Sequence, residues 1–494
     1  VQPEFREYER LSTTVLNAYL QPVMSVYLKT LEDGVKENLP NANIGINQSN
    51  GGLMSPERAR QFPVRTALSG PAAGAVGASF IAQQVGRKNI ITLDMGGTSA
   101  DVAMIQDFKV SISFDRDVAG FPVRQPSVDV ETVGAGGGSI AWFDRDDLLK
   151  VGPASAGAHP GPACYGLGGT SPTVTDANLI LGRLSPRGLL DGSMQLDPDA
   201  AVNVFKPIAE HLGFQTEHTA HGVLGIVVAN MVRTIRTISV ERGYDPRQCV
   251  LMPFGGAGPL HARDVAINLG ISEMIIPAAP GIVCAQGLLV SDLKEDFVVS
   301  RRLALTDEAL PELQKVIRDL ETSAGNWFTR ENITPDARNL KLSLDARYTG
   351  QNFELSVPLA EGKKIEVSEL NQTQLIHQKF CEVHEQAYGY ASEADPVEII
   401  NIRLTAIAKL FEFSSKNSPN NTPPPPKADG ERPVVFENPD KPTIAKCFNR
   451  ASLVPGQEIH GPAIIEQLDT TTPVYPSDIA KVSADGHLII SILS

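Results

Sequence analysis

The run Asp94-Met95-Gly96-Gly97-Thr98-Ser99 places a carboxylate just ahead of two adjacent glycines and two hydroxyls. Glycines lack a Cβ, so backbone N–H groups can converge there on an anion, and the Thr98 hydroxyl adds a donor. Hard cations prefer carboxylate oxygen, so Asp94 can hold Mg²⁺, usually through water. A plain hairpin turn with a hydrogen-bonding aspartate accounts for the same residues. A second loop, Phe254-Gly255-Gly256-Ala257-Gly258-Pro259, stands between a strand-like and a helix-like run. Its glycines can admit a flat base or a ribose, and the helix N-terminus that follows favours phosphate. A tight strand-to-helix turn is the competing account. The two loops lie about 160 residues apart, and their joint presence points to a nucleotide. Neither is a GxxxxGK[ST] loop, and the first is followed by a strand, unlike a dinucleotide fingerprint.

Other polar residues carry less. Asp176 could reach metal or phosphate, or cap the helix over 177–184. His159 could exchange protons, or be a loop histidine bonded to backbone. Cys164 could attack a carbonyl, or be a small buried thiol. His261 stands at a helix start. Glu241 and Arg242 could line a cleft, or end a solvated helix with a local ion pair.

These residues need elements to hold them. Ile90–Leu93 and Val102–Ile105 read as a hairpin with the Gly96-Gly97 tip, and Cys249–Met252 as the strand feeding the second loop. The spacing predicts a helix from about Gly222 to Arg242. It also predicts an opening helix, with N-cap candidates at Ser12-Thr13-Thr14 and a kink at Pro22. Ile44–Gln48 reads as a short strand, and Ser69–Ala78 as a small-residue helix with Pro71 at its start. A further glycine loop, Val133–Ser139, and a loop over Gly152–Gly169 follow the hairpin. Beyond about residue 290, helices (307–329 and 367–388) alternate with strands (341–347, 352–357 and 397–409). Residues 413–432, with four prolines at 423–426, read as a linker or long loop, and 433–494 as a small β module. The expected organisation is therefore 1–290, 291–412, linker 413–432 and 433–494.

Composition removes several classes of function. With 43 basic and 57 acidic side chains the formal charge is −14, so bulk attraction to nucleic acid or an anionic membrane is not expected. No run reaches the roughly 18 uninterrupted apolar residues of a membrane span. The five cysteines are far apart with no CxxC pair, which argues against a disulfide framework or a cysteine zinc site. That fits a reducing, cytoplasmic home, and no basic-then-apolar leader is visible at Val1–Phe5.

The chain resembles the hydantoinase A / 5-oxoprolinase / acetone carboxylase family of ATP-dependent enzymes. The resemblance rests on Arg6–Arg10, Ser69–Gly74, Asp94–Asp101, Val133–Ser139, Gly161–Gly166, Thr175–Asn178, Glu241–Pro246 and Phe254–His261, with a weaker match at Gly461–Glu466. It implies an α/β fold with an actin-like ATPase lobe of the sugar kinase and 70-kDa heat-shock type, followed by a smaller α+β region and the C-terminal β module. On that analogy Asp94 binds Mg²⁺, or Mn²⁺ in its place. Gly96, Gly97, Thr98 and Ser99 hold ATP phosphates, and Gly255, Gly256, Ala257 and Gly258 form the adenosine loop. Asp94 and Thr98 would serve catalysis. The family normally starts with another lobe bearing a like hairpin. No second copy occurs here, so that lobe, on this or another chain, is an expected partner beside a hydantoinase B-like subunit. The implied reaction is phosphoryl transfer to the carbonyl oxygen of a cyclic amide, hydantoin or 5-oxoproline type, followed by ring opening. The alternatives are ATP-dependent carboxylation of a ketone and a non-catalytic nucleotide-binding role.

Overall fold

A computed structural model describes residues 1–189, 192–366, 372–410 and 423–493. The start of the helix expected over 367–388 and much of the 413–432 linker lie outside the described residues. The chain divides into two compact units, each woven from separate stretches of sequence. The first takes Val1–Val76, Ile112–Val128 and Leu288–Phe413; the second takes Gly77–Ser111, Asp129–Gly287 and Ser414–Ser494.

The first unit is built on a six-stranded sheet. Its order is Ile46–Asn47, Leu53–Met54, Leu293–Ala304, Val397–Ala408, Arg338–Tyr348 and Leu355–Gly362. Val397–Ala408 is buried along almost its whole length, as a central strand covered on both faces should be. The amphipathic helices Leu310–Arg330 and Thr373–Tyr388 supply Leu313, Ile317, Leu320, Ile376 and Phe380 to a core shared with Leu342, Leu344, Ile402 and Leu404. The opening helix runs Glu7–Asn38 and contains Pro22. It starts ahead of the expected Ser12-Thr13-Thr14 cap for a physical reason. Thr13 and Thr14 turn their hydroxyls back to the Glu9 and Arg10 carbonyls at 2.7 and 2.8 Å, an arrangement that keeps threonine inside a helix.

The second unit holds the nucleotide-site candidates. Its long sheet runs Glu458–His460, Ile479–Val482, Leu488–Ser491, Glu273–Ile276, Val250–Phe254, Ile90–Met95, Ala100–Gln106 and Lys109–Val110, with Val130–Val133 also paired to Ala100–Gln106. Ile90–Met95 and Ala100–Gln106 form the expected hairpin, in register Asp94 to Asp101 and Met95 to Ala100. The helices Thr216–Ile238 and Gly258–Leu269 contribute to this unit's core. By composition alone the first is apolar enough to cross a bilayer, but its face Val223, Val227, Met231 and Ile235 is fully buried beside Leu93, Val102 and Leu251. A separate four-stranded sheet, Gly430–Val434, Thr443–Asn449, Ala463–Glu466 and Thr471–Val474, makes up part of the C-terminal β region.

Candidate nucleotide site

Val250–Phe254 runs parallel to Ile90–Met95, with Phe254 beside Asp94. Two loops distant in sequence therefore leave the same end of adjacent parallel strands, the place where open α/β sheets present ligand sites. The hairpin closes with Gly96 N–H donating to Ser99 O at 3.1 Å, and the second loop is tied to it by Ala257 N–H donating to Met95 O at 2.9 Å.

The third glycine loop, Val133–Ser139, belongs to the same structure. Gly137 and Gly138 donate to the Gly96 and Gly97 carbonyls at 3.0 and 2.7 Å, and Gly136 N–H donates to Ser139 Oγ at 2.8 Å. Thr175 Oγ1 in turn donates to Gly137 O at 2.8 Å. A glycine cluster in sequence looks the same whether it is a spacer or a support, so this role was not readable there. The C-terminal β region adds a further brace. Thr470 Oγ1 donates to Gly256 O at 2.9 Å, and Gly281 N–H donates to Asp469 Oδ2 at 2.6 Å.

The glycines separate into two kinds when a Cβ is placed on each. At Gly136 it would sit 2.5 Å from Gly97 C and Thr98 N; at Gly255, where φ is +75°, it would sit 2.5 Å from Asp94 Oδ1 and 2.6 Å from Met95 O. These positions are glycine because the protein packs against them. At Gly258 the nearest atom would be Leu93 O at 3.0 Å, and at Gly256 it would be Asp469 O at 3.4 Å. Gly96 and Gly97 differ: nothing lies within 4 Å of either Cβ, and neither has a left-handed φ. The protein's own packing gives no reason for glycine there, and the tip Gly96-Gly97-Thr98 is exposed.

Asp94 lies at the base of this tip, half-buried. Burial pushes its carboxyl up to about 6; the thiol of Cys284, 3.4 Å from Oδ2, opposes the shift by donating, and Asp101 across the hairpin adds to it. Burial, with Asp94 alongside, pushes the Cys284 thiol up to about 12, so it stays protonated and remains a donor. Thr132 Oγ1 holds Asp101 Oδ1 at 2.5 Å. Among the described residues no cluster of three or more His, Cys, Asp or Glu side chains is placed to enclose a metal. One or two carboxylates that leave the other positions to water and phosphate are nonetheless what Mg²⁺ takes in nucleotide sites. The helix Gly258–Leu269 begins without a side-chain cap, so its N-terminus offers backbone donors beside the second loop.

The weaker candidates take structural places. Asp176 is fully buried, and it is not the N-cap: that is Thr173, and Asp176 completes a capping box from the N3 position of the helix Val174–Ile180. Its two oxygens accept from Thr173 N and Oγ1 at 3.0 and 2.7 Å, and from Ala163 N and Cys164 N at 3.3 and 2.8 Å. Burial and then Asp176 push the enclosed Cys164 thiol far up, away from a nucleophile's range. Burial, with Arg183 adding, lowers His261 to about 3, which keeps it neutral; its Nε2 lies 3.3 Å from Asn178 Nδ2. Arg242 pairs with Asp129 and, at 3.7 Å, with Glu131, while Glu241 and His159 are exposed. In the first unit a cavity of about 400 Å³, lined by Arg6, Glu9, Asp115, Arg116, Asp117 and Phe353 among others, mixes both signs of charge and includes none of the glycine loops.

Comparison with known proteins places these features in a family. The profile described as Hydantoinase/oxoprolinase matches residues 10–297, and its C-terminal domain matches residues 304–493. The caprolactamase subunit alpha of Pseudomonas jessenii is 37% identical over 96% of this chain and 68% of its own length. The crystal structure of the ATP-dependent caprolactamase from that organism superposes with a TM-score of 0.89 at 36% identity, covering 99% of this chain and 71% of the other. The nucleotide-free structure of an acetone carboxylase, from work on ATP-dependent acetone carboxylation, gives a TM-score of 0.75 at 25% identity, covering 99% and 70%.

Proposed function

The chain belongs to the hydantoinase/oxoprolinase family, and from that premise we propose that it is the ATP-using subunit of an enzyme that activates a cyclic amide carbonyl for ring opening. The observation that carries this reading is the uncrowded Gly96-Gly97 tip, set beside the Gly255–Gly258 loop on adjacent parallel strands and above a half-buried carboxylate. In this reading the Gly97 N–H and the Thr98 and Ser99 hydroxyls bind phosphate, while Gly96, whose N–H closes the hairpin on Ser99 O, leaves the room of its missing Cβ to the ligand. Gly256, Ala257 and the helix start at Gly258 accept the nucleoside side. Asp94, ionised above about pH 6, takes Mg²⁺ through water. ATP, when bound, would supply a phosphoryl group to the amide oxygen, which makes that oxygen a leaving group and opens the otherwise poorly electrophilic carbonyl carbon to water. The protein's work is positioning and charge neutralisation.

Gly255 serves the site indirectly, since its missing Cβ is what lets the Asp94 carboxylate lie where it does. We assign the fold to the actin-like ATPase class, with a second glycine hairpin from another lobe completing the phosphate clamp and a hydantoinase B-like subunit assisting hydrolysis. All five cysteines are free, in keeping with a cytoplasmic setting. The acetone carboxylase likeness favours one second reading, carboxylation of a ketone. ATP hydrolysis measured with caprolactam, hydantoin, 5-oxoproline and acetone, in the presence of the partner subunit and with or without bicarbonate, separates them. Lactam-stimulated turnover independent of bicarbonate is expected. A bicarbonate requirement moves the assignment to the carboxylase, and binding of nucleotide without any turnover moves it to a non-catalytic subunit.

A further inference from the structure

Two segments fasten the Gly255–Gly258 loop, and each carries an apolar side chain left open to solvent. The first is the stretch 280–284. Gly255 N–H donates to Pro280 O at 3.0 Å, and the Cys284 thiol reaches Asp94 Oδ2 at 3.4 Å. Ile282 is therefore bracketed by a contact to each of the two candidate loops, yet it is 52% exposed. The second is the turn 467–470, which joins the antiparallel strands Ala463–Glu466 and Thr471–Val474. Gln467 N–H closes it on Thr470 O at 3.0 Å, and Gln467 Nε2 donates to Asp469 Oδ1 at 2.7 Å. Through Thr470 Oγ1 on Gly256 O and Asp469 Oδ2 on Gly281 N–H, the turn grips both the loop and the Ile282 segment. Turn tips favour Gly, Pro, Asn, Asp and Ser. Here the residue after Gln467 is Leu468, and it is 56% exposed.

We propose that Leu468 and Ile282 wall a subsite for the purine base of ATP, so that the C-terminal β region takes part in nucleotide binding. This rests on the reading of Gly255–Gly258 as the nucleoside loop. A single bond, Gly281 N–H to Asp469 Oδ2 at 2.6 Å, joins the chain neighbours of the two side chains. The faces of a purine are poorly hydrated, and laying them on branched aliphatic side chains removes apolar surface from water on both sides. The side-chain donors of the turn and the Asp469 carboxylate are spent on one another and on the loop. The walls therefore add affinity for a flat ring and do not read its edge. A protein partner fits less well, because two side chains fall far short of the roughly 800 Å² a standard interface takes from each side.

Equilibrium titration of the full chain with Mg·ATP and with base-free inorganic tripolyphosphate tests this. Leu468→Ser, and independently Ile282→Ser, are expected to weaken ATP binding about 10-fold and leave tripolyphosphate within about twofold. Both should melt with the wild type, since each side chain is exposed. Leu468→Met is expected to bind ATP as the wild type does. Gly97→Ala should weaken both ligands alike. If it does so while both serine variants keep full ATP affinity, the phosphate site stands and the base subsite is overturned. Equal weakening of the two ligands by the serine variants also overturns it. A wild type that binds neither ligand removes the nucleotide site, and the subsite with it.

Discussion

At the scale of single residues, the two kinds of glycine give opposed expectations. Gly97→Ala meets open space, so its folding stability should change by less than about 1 kcal/mol while nucleotide affinity falls. Gly255→Ala forces a left-handed φ and a 2.5 Å approach to Asp94 Oδ1, so a loss of about 2–4 kcal/mol is expected. Chemical denaturation together with nucleotide titration of both variants checks the pair. A Gly97→Ala protein that binds nucleotide normally would remove the hairpin from the site. Asp94 gives a pH signature. Its folded carboxyl titrates near 6, above the unfolded value, so between about pH 4 and 6 the folded state keeps a proton the unfolded state releases. Stability therefore falls as pH rises through that window. Asp94→Asn should be more stable than wild type by about 1–3 kcal/mol at pH 8 and converge with it near pH 4. Metal-dependent nucleotide binding should move the opposite way in wild type, weakening as pH falls through 6, because the cation needs the ionised carboxylate. Thermal melts and titration calorimetry at matched pH read both trends.

At the scale of elements, the hairpin and the strand-to-helix turn were legible because apolar runs flanking paired glycines have few other solutions. The support beneath them was not. Gly137 and Gly138 reach the tip through backbone bonds that any sequence can make, and Cys284 comes to Asp94 only because the chain folds back over 190 residues. The opening helix shows the converse error, for threonines that look like a cap bond backward within a longer helix. Asp176 was recognised as a helix-start residue, but its hold on the Ala163–Cys164 turn is tertiary. Asp176→Ala should leave several buried donors without an acceptor and cost at least about 3 kcal/mol, whereas Asp176→Asn, keeping one oxygen, should cost less. Urea unfolding of the two variants orders them. Equal, small losses would mean the capping box is dispensable.

At the scale of the whole molecule, sequence order concealed which stretches belong together. The first unit is bound by a buried ionic cluster drawn from three of its separate stretches. Glu4 receives Arg124 Nε at 2.6 Å and Arg403 Nη1 at 2.6 Å, and Arg403 also pairs with Asp345 at 2.6 Å. Burial alone would raise the Glu4 carboxyl, but Arg403 and Arg124 outweigh it and hold it below the usual range. Its contribution is therefore present near neutrality and lost as pH falls through that lowered value. Glu4→Gln removes the carboxylate that Arg124 and Arg403 share, but Arg124 keeps Asp115 and Glu354 and Arg403 keeps Asp345, so it should cost about 1–3 kcal/mol. Hydrogen exchange should quicken in strands 338–348 and 397–408 and stay unchanged at 90–106; uniform quickening would refute a local role for the cluster. The second unit's sheet has an order of assembly written into it. Leu488–Ser491 lies between Ile479–Val482 and Glu273–Ile276, so the latest of this sheet's strands in chain order occupies an interior position. During translation the Glu273–Ile276 edge waits, uncovered, through the synthesis of some two hundred further residues. A ribosome stalled late on this message would present a sticky, unpaired ribbon to the cell, and chaperones should find their substrate there.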